Sequence, residues 1–191
     1  MNDHRDQILQ TAGVRVEFVW HEDRYAHRIL VGDGLHWTER LESVEGTPHD
    51  DWPTSPPLNS LHREERGHTQ LALLVGMAGK SHWSASVELD PPGNVRFDIA
   101  CRVSPAGQGV LGSHYRVVSA AAHVEGPNIC LVAAGGANDA FPSVVQPEDG
   151  TQCHVAADGS IRLEPQPDRD AAPARTIRWS YRIQWQGSSD E

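Results

Sequence analysis

Apolar and polar residues alternate strictly in two consecutive segments, residues 81–89 and 95–103. A two-residue period of this kind is typical of β-strands that bury one face. Residues 90–94, Asp-Pro-Pro-Gly-Asn, separate the two segments and have the composition of a turn. The pattern therefore predicts a β-hairpin whose apolar face carries Trp83, Ala85, Val87, Leu89, Val95, Phe97, Ile99, Cys101 and Val103.

A five-residue loop would also fix the register of this hairpin. Leu89 and Val95 would close the loop opposite each other, and the same count places His82 opposite Arg102. A slip by one residue would turn Phe97 toward the polar face, so the register is well specified.

Similar alternation recurs along most of the chain, and no segment has the period of a helix. The clearest further strands are residues 14–20, 25–32, 35–43 and 176–186. Residues 70–77 are apolar on both faces, which predicts a central strand. About a dozen short strands separated by turn residues indicate an all-β, mostly antiparallel protein.

We expect one β-sandwich domain, because most strands have one apolar and one polar face. The sandwich would span residues 13–187, between an N-terminal segment 1–12, read as a loose tail or one helical turn, and a C-terminal tail 188–191. A lipocalin-like β-barrel is the alternative, and alternation alone does not separate the two.

Two proline-rich loops interrupt the strand pattern, at residues 46–60 and 165–175. Proline lacks the amide donor that a sheet ladder needs, so these segments should lie outside the sheets. Trp52 is the expected anchor of the first loop. Binding residues are concentrated in loops of this kind, which makes Trp52 a candidate ligand-binding residue.

The charge of the chain narrows the range of partners. The formal net charge is −10, with 26 acidic and 16 basic residues among 191. This balance argues against nucleic acid and against an anionic membrane surface, which both select for clustered positive charge. Three cysteines without paired spacing and no apolar N-terminal segment favour a reduced, cytoplasmic protein.

Sequence motifs for catalysis and for cofactor binding are missing. Gly79-Lys80-Ser81 resembles the end of a phosphate-binding loop, but the preceding glycine spacing is wrong and a strand follows. Ser81-His82 and Ser113-His114 are adjacent pairs, whose side chains point to opposite faces of a strand. Neither His-x-His nor His-Glu-x-x-His occurs among the eleven histidines. We predict no catalytic residues, no metal and no cofactor.

The polar face of the hairpin is the main candidate site. It would present His82, Ser84, Asp98 and Arg102, and the last strand has a similar face with Arg178 and Arg182. If the two strands are neighbours, the sheet carries a band of Arg, Ser, Asp and His. Together with Trp52, this band would bind a carbohydrate or a small polar ligand.

Three functions remain open from the sequence. The first is a non-catalytic binding or interaction domain for carbohydrate or a small polar ligand. The second is a hydrolase or isomerase that uses a dispersed cluster of His82, Asp98 and Arg102. The third is a structural subunit of a homo-oligomer, which an exposed apolar sheet face would indicate.

Overall fold

The structure is a computed structural model and describes residues 6–103, 109–133, 143–148, 150–166 and 175–185. Within these residues the chain forms fifteen β-strands and no helix. The strands form two antiparallel sheets, of seven and eight strands. The all-β sandwich expected from the sequence is confirmed.

The first sheet forms one layer of the sandwich. Its strands, numbered in chain order, lie in the spatial order β1 (Gln7–Gln10), β2 (Val14–His21), β3 (Arg24–Gly32), β4 (Trp37–Ser43), β9 (Ser113–Val117), β14 (Ile161–Pro165) and β13 (Thr151–Val155).

The second sheet forms the other layer. Its strands lie in the order β10 (Ala120–Glu125), β11 (Asn128–Ala133), β12 (Ser143–Pro147), β15 (Arg175–Trp185), β8 (Asn94–Val103), β7 (Ser81–Asp90), β6 (Thr69–Ala78) and β5 (Leu58–Arg66). Neither sheet closes on itself, and the lipocalin-like barrel is therefore wrong.

The hydrophobic core lies between the inner faces of the two sheets. The largest fully buried side chains come from both layers: Phe18 and Tyr115 from the first sheet, and Phe97, Trp179 and Tyr181 from the second. The phenyl ring of Phe97 stacks on Tyr181 with ring centroids 5.0 Å apart. One apolar cluster thus holds the two sheets together.

The β7–β8 hairpin has the register that the sequence predicts. Leu89 pairs with Val95, and His82 pairs with Arg102. The pairing extends one step further, to Asp90 and Asn94, because both residues continue the ladder. Strand β15 lies beside β8, so the two predicted polar faces do share one sheet.

Two expectations about secondary structure were wrong. Residues 7–10 form strand β1, although residues 1–12 were expected to be a tail or a helical turn. Leu9 is completely buried, and its burial holds this short strand against β2. Strand β6 is not central: only β5 lies beyond it, and one of its two apolar faces is exposed.

The first proline-rich loop connects the two sheets, from β4 in the first to β5 in the second. Trp52 is half-buried in this loop and packs against the core, where its indole lies on the backbone of Gly109. Most of the second proline-rich loop, residues 167–174, lies outside the described residues, as does the C-terminal tail 188–191.

Candidate functional site

The predicted polar face exists as a continuous outer surface of the eight-stranded sheet. His82 and Ser84 on β7 are exposed, and so are Arg102 on β8 and Arg178 on β15. Asp98 is only half-buried at its position opposite Ser86. The register separates His82 from Asp98 by four residues along the strands, about 13 Å at the rise of a β-strand.

One end of this face is an ion-pair cluster around Glu148. The guanidinium groups of Arg96 and Arg182 donate to its two carboxylate oxygens, at 2.9 and 2.6 Å. Arg96 also lies 3.4 Å from Asp98. Burial alone would raise the pKa of Glu148, but hydrogen bonds from Arg182, Ser180 and Arg96 bring the pKa below its ordinary value. Asp98 and Arg182 therefore have partners within the protein.

A cavity of about 320 Å³ lies beside the first proline-rich loop. Trp52 lines this cavity together with His114 on β9 and with Arg162 and Glu164 on β14. The hydroxyl of Ser55 holds the loop in place, because it hydrogen-bonds both the backbone amide and the carbonyl of His114, each at 3.2 Å. The predicted binding residue Trp52 thus lines the same cavity as polar side chains of two strands.

His114 is held in place by a hydrogen bond rather than prepared for catalysis. Its Nε2 lies 2.8 Å from the hydroxyl oxygen of Ser160, and that hydroxyl donates to Asp158 at 2.6 Å. Burial lowers the pKa of His114 below its ordinary value, and the imidazole is therefore neutral at pH 7. A serine nucleophile must donate its proton to the imidazole, whereas Ser160 donates to a carboxylate.

A second cavity, of about 430 Å³, adjoins the first and shares Val110 and Glu164 with it. Arg175, Thr176 and Arg178 on β15 line its far side. Of the outer-face residues predicted from sequence, Arg178 is the one that lines either cavity. We call the two cavities together the groove, defined by Trp52, His114, Arg162, Glu164, Arg175 and Arg178.

Sequence patterns alone did not identify four of these six residues. His114, Arg162, Glu164 and Arg175 lie on three strands, and these residues are separated along the chain by up to 61 residues. Arg162 and Glu164 occupy alternate positions of β14, and this spacing is not specific to any ligand. Only the packing of the two sheets brings β14 of the first sheet and β15 of the second to the same groove.

The described residues include neither a metal-binding cluster nor a membrane-spanning helix. Among those residues, no group of three or more His, Cys, Asp or Glu side chains is arranged to hold a metal ion. The same residues include no helix with the length and apolar character needed to cross a bilayer. All three cysteines are free thiols, and burial raises the pKa of Cys101 to about 12.

Comparisons with known proteins give a fold but no family. No family model and no curated protein sequence matches the chain. Among solved structures, a heparinase III has a similar fold, with a TM-score of 0.54 and 8% sequence identity. The similarity covers 100% of this chain and 37% of the heparinase chain, so the chain spans little more than a third of that protein.

Proposed function

We propose that the protein is a non-catalytic carbohydrate-binding domain and that the groove is its binding site. The observation that carries this proposal is the lining of the first cavity, which combines Trp52 with the polar side chains of His114, Arg162 and Glu164. A sugar ring has apolar C–H faces and a rim of hydroxyl groups. It therefore suits a site with one aromatic wall and several hydrogen-bonding side chains.

The size and position of the groove support the same function. Its two cavities adjoin and measure about 320 and 430 Å³, volumes within the ordinary range for small-ligand sites. The similar fold in a protein named heparinase III, whose name refers to the carbohydrate heparin, is consistent with it. That similarity is one of fold, and the proposal rests on the groove itself.

An enzymatic function that uses His82, Asp98 and Arg102 has less support. His82 pairs with Arg102, but Asp98 lies four residues further along and contacts Arg96. A general acid–base pair needs both groups within hydrogen-bond reach of one substrate. In the described residues these three side chains are spread along an exposed sheet face.

Substitution of Trp52 tests carbohydrate binding at the groove. We expect Trp52→Ala to weaken glycan binding about tenfold or more, because the sugar loses its aromatic platform, which corresponds to about 1.4 kcal/mol. Isothermal titration calorimetry against glycans found by array screening would measure the change. Trp37→Ala is the matched control. Trp37, on β4, is also half-exposed, but it lies outside the groove, with the guanidinium group of Arg15 over its ring. Equal binding by both variants would contradict the proposal.

A homo-oligomer is a second candidate function, supported by an apolar stripe on the outer face of β6. Leu73, Val75 and Met77 are 38%, 53% and 53% exposed, in alternate positions of the strand. Strand β6 keeps its other face in the core with Ala72 and Leu74. Exposed apolar residues in a row are typical of surfaces that associate with another protein.

The charges around this stripe suit a second copy of the chain. Glu64 and Glu88 flank the Leu71 end of β6, and Arg66 pairs with Glu64. At the other end, His82 lies beside Met77, and Arg102 lies beside His82. A two-fold axis through Val75 would place the basic end of one copy over the acidic end of the other.

Analytical ultracentrifugation tests this interface. We expect the protein to sediment as a dimer at micromolar concentration, and Val75→Asp to give a monomer because it places a charge at the two-fold axis. Val124→Asp, at a 64% exposed valine on β10 of the same sheet, should leave the dimer intact. A wild-type monomer at these concentrations would exclude the interface.

A further inference from the structure

Twelve of the thirteen arginines in the described residues divide into two groups by their ion-pair partners, and the remaining one, Arg40, is buried and donates to the carbonyl oxygen of Ser119. Eight of those in the described residues lie within ion-pair distance of a carboxylate: Arg15, Arg24, Arg28, Arg63, Arg66, Arg96, Arg116 and Arg182. Four others form no ion pair with any described residue: Arg102, Arg162, Arg175 and Arg178. The chain has 26 acidic and 16 basic residues, so there are enough carboxylates to pair with every arginine. Four arginines without an ion pair to a described residue are therefore unexpected.

These four arginines lie in one region of the surface. Arg162, Arg175 and Arg178 line the groove. Arg102 pairs in register with Thr176, which also lines the groove. Arg102 is thus a diagonal neighbour of Arg178 on the same outer face, about 7–8 Å away in the geometry of a sheet. His82, opposite Arg102, extends this basic band by one strand.

We infer that the groove binds an acidic polysaccharide, whose carboxylate or sulfate groups pair with Arg162, Arg175 and Arg178. This inference rests on the carbohydrate-binding function proposed above and specifies its ligand class. A guanidinium without a protein partner can form two parallel hydrogen bonds to a carboxylate or sulfate.

The acidic and amide groups in the groove suit a ligand that carries hydroxyl groups as well as anions. Glu164 lines both cavities, and Gln152 and Gln166 add amide groups to the second cavity. Sugar hydroxyls can donate hydrogen bonds to Glu164, while carboxylate or sulfate groups of the same polymer pair with the arginines.

Four probes separate the ligand classes: oligogalacturonate with carboxylates, a heparin oligosaccharide with sulfates as well, neutral maltohexaose and a single-stranded DNA oligonucleotide. We expect binding to at least one of the two acidic glycans, and the comparison between them identifies the preferred anion. Binding of that glycan should weaken as the salt concentration rises, because ion pairs are screened.

Three variants locate the charge contacts. Arg162→Gln and Arg178→Gln should each weaken binding of the acidic glycan at least fivefold and reduce its salt dependence, because each removes one cationic contact. Arg63→Gln makes the same change in charge on β5, where Arg63 pairs with Glu65, and should bind as the wild type does. Circular dichroism of each variant would check that the fold is retained.

The outcomes are separable. If maltohexaose and the acidic glycans bind equally and the groove variants have no effect, the acidic ligand is wrong but carbohydrate binding stands. If no glycan binds, both proposals fail. If the DNA binds as tightly as the acidic glycans, the groove accepts any polyanion and the inferred ligand class is wrong. Binding of an acidic glycan that Arg162→Gln and Arg178→Gln weaken, and Arg63→Gln does not, supports the inference.

Discussion

Tyr115 occupies the middle of a buried hydrogen-bond chain that crosses the core. Its hydroxyl lies 2.7 Å from Nε2 of His27 and 2.6 Å from the hydroxyl of Tyr181. His27 and Tyr115 belong to the first sheet, and Tyr181 belongs to the second. Burial lowers the pKa of His27 to about 4, so the chain consists of neutral groups at pH 7.

We expect Tyr115→Phe and Tyr181→Phe each to destabilise the protein by about 2–4 kcal/mol. Loss of the Tyr115 hydroxyl removes a partner from His27 and from Tyr181, and loss of the Tyr181 hydroxyl removes a partner from Tyr115 and from Ser113. Urea unfolding at pH 7 would measure both. The double variant should cost less than the sum, and strict additivity would argue against a connected chain.

Glu45 is a buried carboxyl group whose ionisation should oppose folding. Burial raises its pKa to about 7, although a hydrogen bond from Ser43 partly offsets the effect. Its Oε1 accepts that bond at 2.6 Å, and Oε2 has no hydrogen-bond partner among the described residues. The unfolded chain should ionise near the ordinary value of 4.5. Stability from this group is therefore complete below about pH 4.5 and is lost as the pH rises through 7.

The variant Glu45→Gln should remove this pH dependence, because glutamine stays neutral. Its free energy of unfolding relative to the wild type should rise between pH 4.5 and 7.5, by about 2–4 kcal/mol for a shift of this size. Burial of His27 acts in the opposite direction between pH 6.5 and 4, but it is common to both proteins and cancels in the difference. Glu65→Gln, at an exposed position, is the control. A constant difference across this range would contradict the assignment.

Among the elements, the end of β15 connects the two sheets through close packing on glycine. The indole of Trp185 lies directly on Gly13, between β1 and β2, and a Cβ atom at Gly13 would overlap it. The same indole approaches Gly93 in the β7–β8 hairpin, where a Cβ atom would lie 3.3 Å away. Trp185 is therefore packed against the core.

We expect Gly13→Ala to destabilise the protein by about 1–3 kcal/mol, because the added methyl group displaces the indole of Trp185. Gly126→Ala is the control: its φ of +61° strains an alanine, but no atom lies within 4 Å of the new Cβ. Thermal unfolding would measure both changes. Near-UV circular dichroism should change only in Gly13→Ala, and an unchanged spectrum there would contradict the close packing.

The accuracy of the sequence predictions differed between elements for physical reasons. The register of the β7–β8 hairpin was predicted to the residue, because a slip by one residue would turn Phe97 to the polar face, although the ladder continues one pair further into the expected loop. Strand β1 was missed, since four residues with one buried side chain, Leu9, have no readable period. Strand β6 was placed centrally because both its faces are apolar, yet one face lies on the surface.

The groove could be predicted only in part. Trp52 was predicted because a tryptophan in a proline-rich loop needs a packing partner. Arg178 was predicted because it lies on the polar face of an alternating strand. Arg162 and Glu164 gave no such signal, because their role depends on which strand lies beside β9. Sheet order is set by contacts between distant segments, and alternation along a strand does not encode it.

The whole molecule depends on one core that both sheets share. Phe18 and Ile29 of the first sheet belong to the same buried cluster as Phe97 and Trp179 of the second. Neither sheet can keep its inner face away from water without the other. The two sheets should therefore unfold together.

We expect one cooperative unfolding transition, with the same midpoint by tryptophan fluorescence and by far-UV circular dichroism. Phe18→Ala and Phe97→Ala, one in each sheet, should both lower this single midpoint, because each opens a cavity worth about 3–5 kcal/mol. Two resolved transitions, or a variant that affects only one probe, would show that the sheets are independently stable.

The groove has a mechanical consequence, because its walls belong to different layers. Glu164 lies on β14 of the first sheet, and Arg178 lies on β15 of the second. A polymer bound across them would brace the two layers from outside and resist their sliding past each other. Saturation with ligand should then slow amide hydrogen exchange in β14 and β15 together, and leave the distant edge strand β5 unchanged.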